Sequence, residues 1–387
     1  MKATSFSFER FQKILWFLLV IFIALFIVGA VFNLRRFLIA YLFGFLFWSG
    51  VSLGCFGVLM LHHLVGGKWG FVIRRFLEAG LTLLPIFAIL FLPILLGADH
   101  LYVWRNQSVV RQDPILRQQS LYLNPIGFDL RALLFFSVWV VMGWLLNKWS
   151  LDQDERKDPT PTRRLRVLSG PGIVLYAITV TFAFVDWVMS LEMHWYSSIF
   201  PALVIVGQML SALTWSIVFI LLFRRSFPFL QVLSAKHYHD LGNLLLALVL
   251  LWTYLTFSQL LIIYSGNLPH EIAWYRHRSQ HGWQWIAGFL AVFHFAIPFF
   301  ILLFRKAKCY PVSLLVIALG FIPVHAVAVY WYVLPSFYPQ QIAWHWFDIV
   351  VWLGLGVVWL NFIFLRLRKN VWLPQNDPRF SWNFSTL

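Results

Sequence analysis

Residues 172–200 read GIVLYAITVTFAFVDWVMSLEMHWYSSIF, an apolar run that is long enough to cross a membrane and ends among ionisable side chains. About 20 apolar residues in a helix span the hydrocarbon core of a bilayer. Asp186 lies inside the run, and Glu192 and His194 follow it. A carboxylate at membrane depth costs about 3 kcal/mol or more and usually marks a functional site. The alternative is that Asp186 ends its helix and reaches the headgroups, where acidic residues are tolerated.

The composition of the whole chain indicates the same class. Of its 387 residues 60% are hydrophobic and 12% are charged, whereas about 25% of residues are charged in a typical soluble domain. The basic residues behind the formal charge of +15 lie in short loops between apolar runs, which argues against a nucleic-acid partner. The two cysteines form no C-x-x-C motif, so we expect no metal or iron–sulfur centre on this chain.

Ten apolar runs have the required length, and they predict an all-α, polytopic membrane protein that forms a single domain over residues 1–387. The predicted spans are 14–32, 37–62, 76–97, 132–148, 171–190, 198–223, 241–265, 284–304, 312–334 and 347–365. Most of the 30 Lys and Arg residues lie before the first span, in the even-numbered loops and in the C-terminal tail. By the positive-inside rule, we expect both termini in the cytoplasm and Asp186 on the opposite side.

Further ionisable residues recur along the predicted spans, and carboxylates and imidazoles in sequence across a membrane are what proton transfer requires. Six of them are predicted at the cytoplasmic boundary: His62, His63, Glu78, His237, His239 and Asp240. His294 and His325 fall near the middle of the eighth and ninth spans. Together with Asp186, Glu192 and His194 they are candidates for a proton path.

Each candidate also has a structural interpretation. The two adjacent histidines that end the second span could be interfacial, and Glu78 could pair with the two arginines before it. Asp240 could cap the helix that follows it. His294 and His325 could form a hydrogen bond between their helices.

Two other functional classes are compatible with the pattern. A haem b cytochrome would use His294 and His325 as axial ligands. A transporter with a proton-coupled pathway would show broken helices, and Pro85, Pro93 and Pro298 interrupt the third and eighth spans. The chain has no P-loop, G-x-G-x-x-G or H-E-x-x-H motif, so we expect no catalytic activity from the isolated chain.

Five segments in order along the chain carry a more specific signal. They are HHLVGGKWGFVIRRFLEAG (62–80), YLNPIGFDLRA (122–132), LSGPGIVLYAITVTFAFVDWVMSLEMHWYSSIF (168–200), KHYHDLGNLLLALVLLWTYLTFSQLLIIYSGNLPHEIAWYRHR (236–278) and PQNDPRF (374–380). The chain resembles one membrane-subunit family of alternative complex III, the quinone-binding subunit 2 of a quinol:cytochrome c oxidoreductase. That family belongs to the NrfD or polysulfide-reductase-like superfamily.

The resemblance implies a fold of two four-helix bundles with two flanking helices in the cytoplasmic (inner) membrane of a bacterium. It implies that the chain carries no redox centre. Haem c and iron–sulfur clusters would lie on partner subunits, a multihaem cytochrome c and an iron–sulfur protein, beside a sister quinone-binding membrane subunit. Electrons would pass from menaquinol to cytochrome c or a terminal oxidase. Menaquinone is a candidate ligand of this chain, although the sister subunit is the better candidate for the working quinol site.

The resemblance also relates the polar residues to two family motifs. It assigns Asp186, Glu192 and His194 to one polar group and the histidines and aspartate of residues 237–240 to another. In the mechanism that we expect, protons enter through this second group together with His62, His63 and Glu78, and they leave at the first group. Two departures stand out: Met193 lies where the family pattern has proline, and residues 324–331 lack an arginine–aspartate pair expected in the ninth span.

Overall fold

A computed structural model describes residues 8–155, 158–225, 229–369 and 372–379. Within those ranges the chain is all-helical and has no β-strand, and ten helices are long and apolar enough to span a membrane. The predicted fold class is therefore confirmed at this level. Phe380, the last residue of the PQNDPRF segment, lies outside the described residues.

The ten long helices, numbered here as the first to the tenth span, each overlap one predicted span. They are Glu9–Phe32, Leu34–Val65, Lys68–Leu96, Pro125–Glu155, Thr160–Leu191, Ile199–Leu222, Ala235–Gly266, Trp283–Leu303, Pro311–Ser336 and Trp346–Arg368. Shorter helices in the connections are Ala98–Leu101, Gln107–Gln112, Pro114–Gln119, Phe229–Val232, Pro269–Arg278 and Arg305–Cys309. Most spans extend several residues beyond their apolar runs, because polar residues continue the helix at the ends.

Two spans are interrupted where proline removes a backbone donor. The third span consists of three helical pieces, which end at Leu81, Leu90 and Leu96, with Pro85 and Pro93 near the starts of the second and third pieces. The eighth span contains a π-helical turn, Ala291–Ala296, just before Pro298. Such turns widen the helix and often occur at functional sites.

The second span is the centre of the molecule and is buried along its length. It packs against the third, fifth, sixth and tenth spans. Its contact with the sixth span depends on Gly54, because a Cβ atom there would lie 1.9 Å from the carbonyl oxygen of Gln208. The turn into the third span uses Gly66 and Gly67 at φ values of +76° and +102°, which favour glycine.

The remaining contacts form two groups. Spans two to five contact one another in a closed ring, and so do spans six to nine. The first span packs mainly on the tenth, which lies against the second. The chain thus brings residues from distant segments to the same two ends of the helical assembly.

Candidate functional site

Asp186 is completely buried near the end of the fifth span. Its carboxylate accepts two hydrogen bonds from Arg131 of the fourth span, with Nε 2.7 Å from Oδ2 and Nη2 3.0 Å from Oδ1. The guanidinium of Arg131 also lies 3.8 Å from the centre of the Tyr122 ring. Asp186 is therefore one half of a bidentate ion pair, which is among the stronger polar contacts in proteins.

Glu192 lies in a second ion pair at the same end of the bundle. Arg278, which is only 1% exposed, places Nη1 3.1 Å from Oε1 of Glu192. Ser336 donates a hydrogen bond of 2.9 Å to the same oxygen, and Nδ1 of His277 lies 3.3 Å from the carboxylate. Burial raises the pKa of Glu192, but His277, Arg278 and Ser336 outweigh it and hold the pKa below its ordinary value.

His194 belongs to a third pair, on the surface. Its Nε2 lies 2.8 Å from Oδ2 of Asp113, which also accepts a hydrogen bond from the backbone of Ile115. The hydrogen bond with His194 is the main reason that the pKa of Asp113 lies below its ordinary value. Asp186, Glu192 and His194, which the sequence pattern groups together, thus have three separate partners.

A further ion pair lies at this end of the bundle, which we call the Asp186 end. No local pattern in the sequence indicates it. Arg36 at the start of the second span bonds to Asp348 near the start of the tenth, and both side chains are buried. Arg36 also donates a hydrogen bond of 3.0 Å to the carbonyl of Ala343. The pair joins two spans that are 312 residues apart in sequence.

The opposite end, which we call the Arg74 end, contains a buried network around Glu78. Its carboxylate accepts hydrogen bonds from Arg74 Nε at 2.7 Å, Arg75 Nη1 at 2.6 Å and Ser150 Oγ at 2.5 Å. Arg75 also binds Asp154. The structural interpretation of Glu78, pairing with the two arginines before it, is confirmed.

The C-terminal segment closes this network. Asp377 is buried and lies 3.0 Å from Nη1 of Arg74 and 2.9 Å from Nη2 of Arg379. The backbone N–H of Gln375 donates a hydrogen bond of 2.9 Å to Asp154. Burial raises the pKa of Asp377, but Arg379 and Arg74 outweigh it and lower the pKa. Residues 372–379 therefore cover the Arg74 end as part of the folded unit.

His62 and His63 lie inside this end rather than exposed at its surface. Their rings are 5.6 Å apart, and the side chains are at most 2% exposed. Both ring nitrogens of His62 and Nε2 of His63 are buried without a hydrogen-bond partner. Gly70 makes room for the His62 ring, because a Cβ atom at that position would lie 2.0 Å from Nδ1.

The seventh span begins earlier than the sequence predicts. It starts at Ala235 and is capped by Ser234, whose backbone N–H lies 3.2 Å from Nδ1 of His237 in a capping box. The prediction that Asp240 caps this helix is therefore wrong, because the helix starts at Ala235, five residues before Asp240. Asp240 lies within the helix, 3.7 Å from Nδ1 of His239, and both are about one-third exposed.

His294 and His325 meet in the middle of the second helical ring. Nε2 of His294 lies 3.2 Å from Nδ1 of His325, and both rings are buried. His294 belongs to the π-helical turn, and the centre of its ring lies 3.8 Å from that of Trp252. The predicted hydrogen bond between the helices is confirmed. Axial ligands of one haem face each other across the porphyrin. These nitrogens are in direct contact, so the pair does not fit a haem.

A small enclosed cavity of about 20 Å³ lies beside this pair. Its polar lining is His325, Gln208, Ser211 and Tyr332. Gln208 Nε2 and Ser211 Oγ are buried without a hydrogen-bond partner, and Gln208 Oε1 accepts a hydrogen bond of 3.0 Å from Tyr176. A buried water needs about 10–15 Å³ and two to four polar partners. The cavity therefore fits one water molecule next to His325.

A much larger cavity, of about 700 Å³, lies between the seventh and eighth spans in the half nearer the Asp186 end. Its lining includes Trp252, Phe257, Tyr275, Arg278, Trp331 and Tyr332. Phe257 is 59% exposed on the apolar outside of the bundle, so the cavity opens sideways. Tyr332 borders both cavities, and Trp252 separates the larger one from His294.

The geometry of the larger cavity is typical of a ligand site. Such sites usually occupy about 300–1,000 Å³ and combine apolar walls with a few polar groups. Here Arg278 and Tyr275 provide polar groups at one end. No pattern in the sequence indicated this cavity directly, although the aromatic residues of segment 236–278 line much of it.

Comparisons with known proteins add no family assignment. A scan against protein-family models and a search of curated proteins each found no match. Across the described ranges of the chain, no group of three or more His, Cys, Asp or Glu residues could hold a metal ion. The residues and cavities themselves are therefore the basis for a functional proposal.

The Asp186–Arg131 pair can be tested by a double-mutant cycle. Removing one partner leaves a buried charge unpaired, so Asp186→Asn and Arg131→Gln should each destabilise the purified protein by about 3–5 kcal/mol. The double variant should lose less than the sum of the two. Thermal unfolding in detergent measures all three.

Asp99→Asn is the matched control, because its ion pair with Arg105 is largely exposed on the aspartate side. It should leave the melting temperature unchanged. Additive effects of Asp186→Asn and Arg131→Gln would contradict the pairing.

The lowered pKa of Glu192 predicts an acid-sensitive contribution to stability. A carboxylate whose pKa is lower in the folded state stabilises the fold above its unfolded pKa of about 4.3, and that stabilisation is lost as the pH falls through the folded pKa. Melting temperatures measured from neutral pH downward should therefore fall less steeply below about pH 4.3 in Glu192→Gln than in the wild type. Glu271→Gln, a change on the helix that ends at Arg278, should keep the wild-type profile. Identical acid profiles for Glu192→Gln and the wild type would exclude this role.

Proposed function

We propose that this chain is an integral membrane subunit of a respiratory menaquinol:cytochrome c oxidoreductase, in the position of the quinone-binding subunit 2 of alternative complex III. In this proposal it takes part in quinol-linked proton transfer in the bacterial cytoplasmic membrane, with both termini in the cytoplasm. The resemblance of the five segments quoted in the sequence analysis and the distribution of Lys and Arg support it. The two closed rings of spans, flanked by the first and tenth, agree with two four-helix bundles.

One observation carries the mechanism: the buried His294–His325 pair lies between the 700 Å³ lateral cavity and the one-water cavity. The lateral cavity opens on the apolar surface, where a lipid-soluble quinol could enter. Its aromatic walls, which include Trp252, Tyr275 and Trp331, suit a flat ring.

Oxidation of a quinol to a quinone releases two electrons and two protons. In the proposal the electrons pass to haem c and iron–sulfur clusters on partner subunits. The protons require acceptors near the ring, and imidazoles are suited to this because a neutral ring has one nitrogen that accepts a proton and a second that donates one.

Two proton routes leave the lateral cavity in this arrangement. The first leads to the surface at the Asp186 end, because Arg278 lines the cavity and holds Glu192, which contacts the partly exposed His277. The second leads inward through His294 and His325 to the one-water cavity. His62 and His63 lie farther along, at the Arg74 end.

The arginine pairs decide which of the proton-path candidates we assign to carry protons. Asp186 and Glu78 are each held by arginine, so we assign the main proton-carrying role to the buried imidazoles. Glu192 is also held by arginine, but it keeps a role in the first route because it contacts the partly exposed His277. A role of Asp186 in proton release stays a prediction. His237, His239 and Asp240 lie together at the entrance to the seventh span, where they could still collect protons.

A proton-coupled transporter is less well supported. It would need a water-filled substrate site near the middle of the membrane. The central cavity has room for about one water, and the lateral cavity opens on an apolar surface. Both features favour a lipid-soluble ligand over a polar solute.

The test uses the assembled complex, reconstituted in liposomes with a menaquinol donor and a cytochrome c acceptor. His325→Gln should lower quinol oxidation at least about tenfold or reduce the number of protons moved per electron, because it removes an acid–base group. Ser211→Ala, which removes a polar group from the one-water cavity at little change in volume, should act in the same direction. Co-purification with a multihaem cytochrome and an iron–sulfur protein tests the complex itself.

His100→Gln is the matched control, because His100 is exposed in the connection after the third span. It should retain wild-type turnover and proton stoichiometry. If both His325→Gln and Ser211→Ala also retain them, the proposed route through the imidazole pair is excluded.

A further inference from the structure

A second lateral cavity, of about 600 Å³, lies among the third, fourth and tenth spans, toward the Arg74 end. Its lining includes Leu81, Pro85, Val141, Trp144, Asn147 and Arg366. The third span breaks after Leu81, and Pro85 lies in the piece that follows. The break therefore lies in the wall of the cavity.

The mouth of this cavity faces the apolar outside of the bundle. Val141 and Trp144 line it and are 55% and 58% exposed. Its lining on the fourth span extends from Val140 to Asn147, about 10 Å at the rise of an α-helix. An acyl chain could therefore enter from the side and lie along the helix.

The end of the cavity nearer the Arg74 end is basic. Nε of Arg366 is buried without a hydrogen-bond partner. Lys148 is not a lining residue, but its ammonium lies 5.0 Å from the centre of the ring of Trp144, which is one. The lining residues include no Asp or Glu. A buried donor without a partner is costly, so this end is suited to an anion.

We propose that this cavity binds an anionic glycerophospholipid, with the phosphate between Arg366 and Lys148 and an acyl chain in the groove. The guanidinium presents several donors in a fork that matches a phosphate. The charge of the rim distinguishes an anionic from a zwitterionic headgroup, and the apolar groove distinguishes a lipid from free phosphate. The proposal involves neither the larger cavity nor the imidazole pair, so it is independent of the proposed quinol chemistry.

The experiment titrates the purified full-length chain with phosphatidylglycerol or phosphatidylcholine and counts bound lipids by native mass spectrometry. Arg366→Gln and Lys148→Gln should each weaken phosphatidylglycerol binding about fivefold, as expected for one basic residue near an anionic lipid. Neither should change phosphatidylcholine binding. Inorganic phosphate should not compete at the same concentration.

Arg368→Gln is the matched control. Arg368 lies two residues away on the same span, is half exposed and pairs with Glu9. It should bind phosphatidylglycerol as the wild type does. Arg366→Lys, which keeps the charge, should retain most of the affinity.

A groove variant keeps the proposal testable if Arg366→Gln fails to fold. Val141→Trp leaves the basic residues in place but fills the groove, and it should reduce phosphatidylglycerol binding. Unchanged binding in either Arg366→Gln or Val141→Trp would overturn the proposal. So would equal affinity for the two lipids, competition by free phosphate, or a partner polypeptide seated in the cavity in the assembled complex.

Discussion

Pairing between buried carboxylates and arginine is the constraint on which this bundle depends. In the described part of the chain, each fully buried acidic side chain contacts at least one arginine; they are Glu78, Asp186, Asp348 and Asp377. An isolated charge in an apolar interior is very costly, whereas a pair with additional hydrogen bonds is tolerated. The pairs of Asp186 and Asp348 each join two different spans. Asp377 ties the C-terminal segment to the third span, and Glu78 pairs within its own helix. All of them lie at the two ends of the bundle.

The buried imidazoles differ from the buried carboxylates because they have no charged partner among the described residues. A neutral imidazole needs no counter-ion, and His62, His63, His294 and His325 make no ion pair within the described ranges. Such groups carry a charge only while a proton passes through them, so they need no permanent partner. The acids at the ends therefore mainly hold the helices together, while the imidazoles are available for proton transfer. The position of one imidazole pair between two cavities connects this division to the proposed quinol chemistry.

The sequence predicted the features that depend on neighbouring residues. Ten spans could be identified because apolar length is a local property, and the Glu78 pairing was recognisable because the arginines lie three and four residues away. The cost of burying Asp186 could also be recognised, because the residue lies inside an apolar run. Its partner, Arg131, was not, because 55 residues separate the two and only the packing of the fourth and fifth spans brings them together.

The cavities could not be predicted for the same reason. Their volumes depend on how broken helices pack, and the sequence shows only that prolines interrupt the third and eighth spans. The start of the seventh span was misplaced because the apolar run begins after the cap at Ser234. Three polar residues near one another in sequence, Asp186, Glu192 and His194, diverge because the chain turns between them and each meets a different helix or loop.

The most direct test of the proposed link between quinol and the buried imidazoles is to find where a quinone binds. A photoreactive menaquinone analogue would be bound to the assembled complex, activated by light and located by mass spectrometry. The proposal predicts labelling of residues that line the 700 Å³ cavity, such as Trp252, Tyr275 and Phe295, and loss of that labelling with excess menaquinone. Labelling confined to the sister membrane protein of the complex, or labelling of this cavity that excess menaquinone does not reduce, would contradict it.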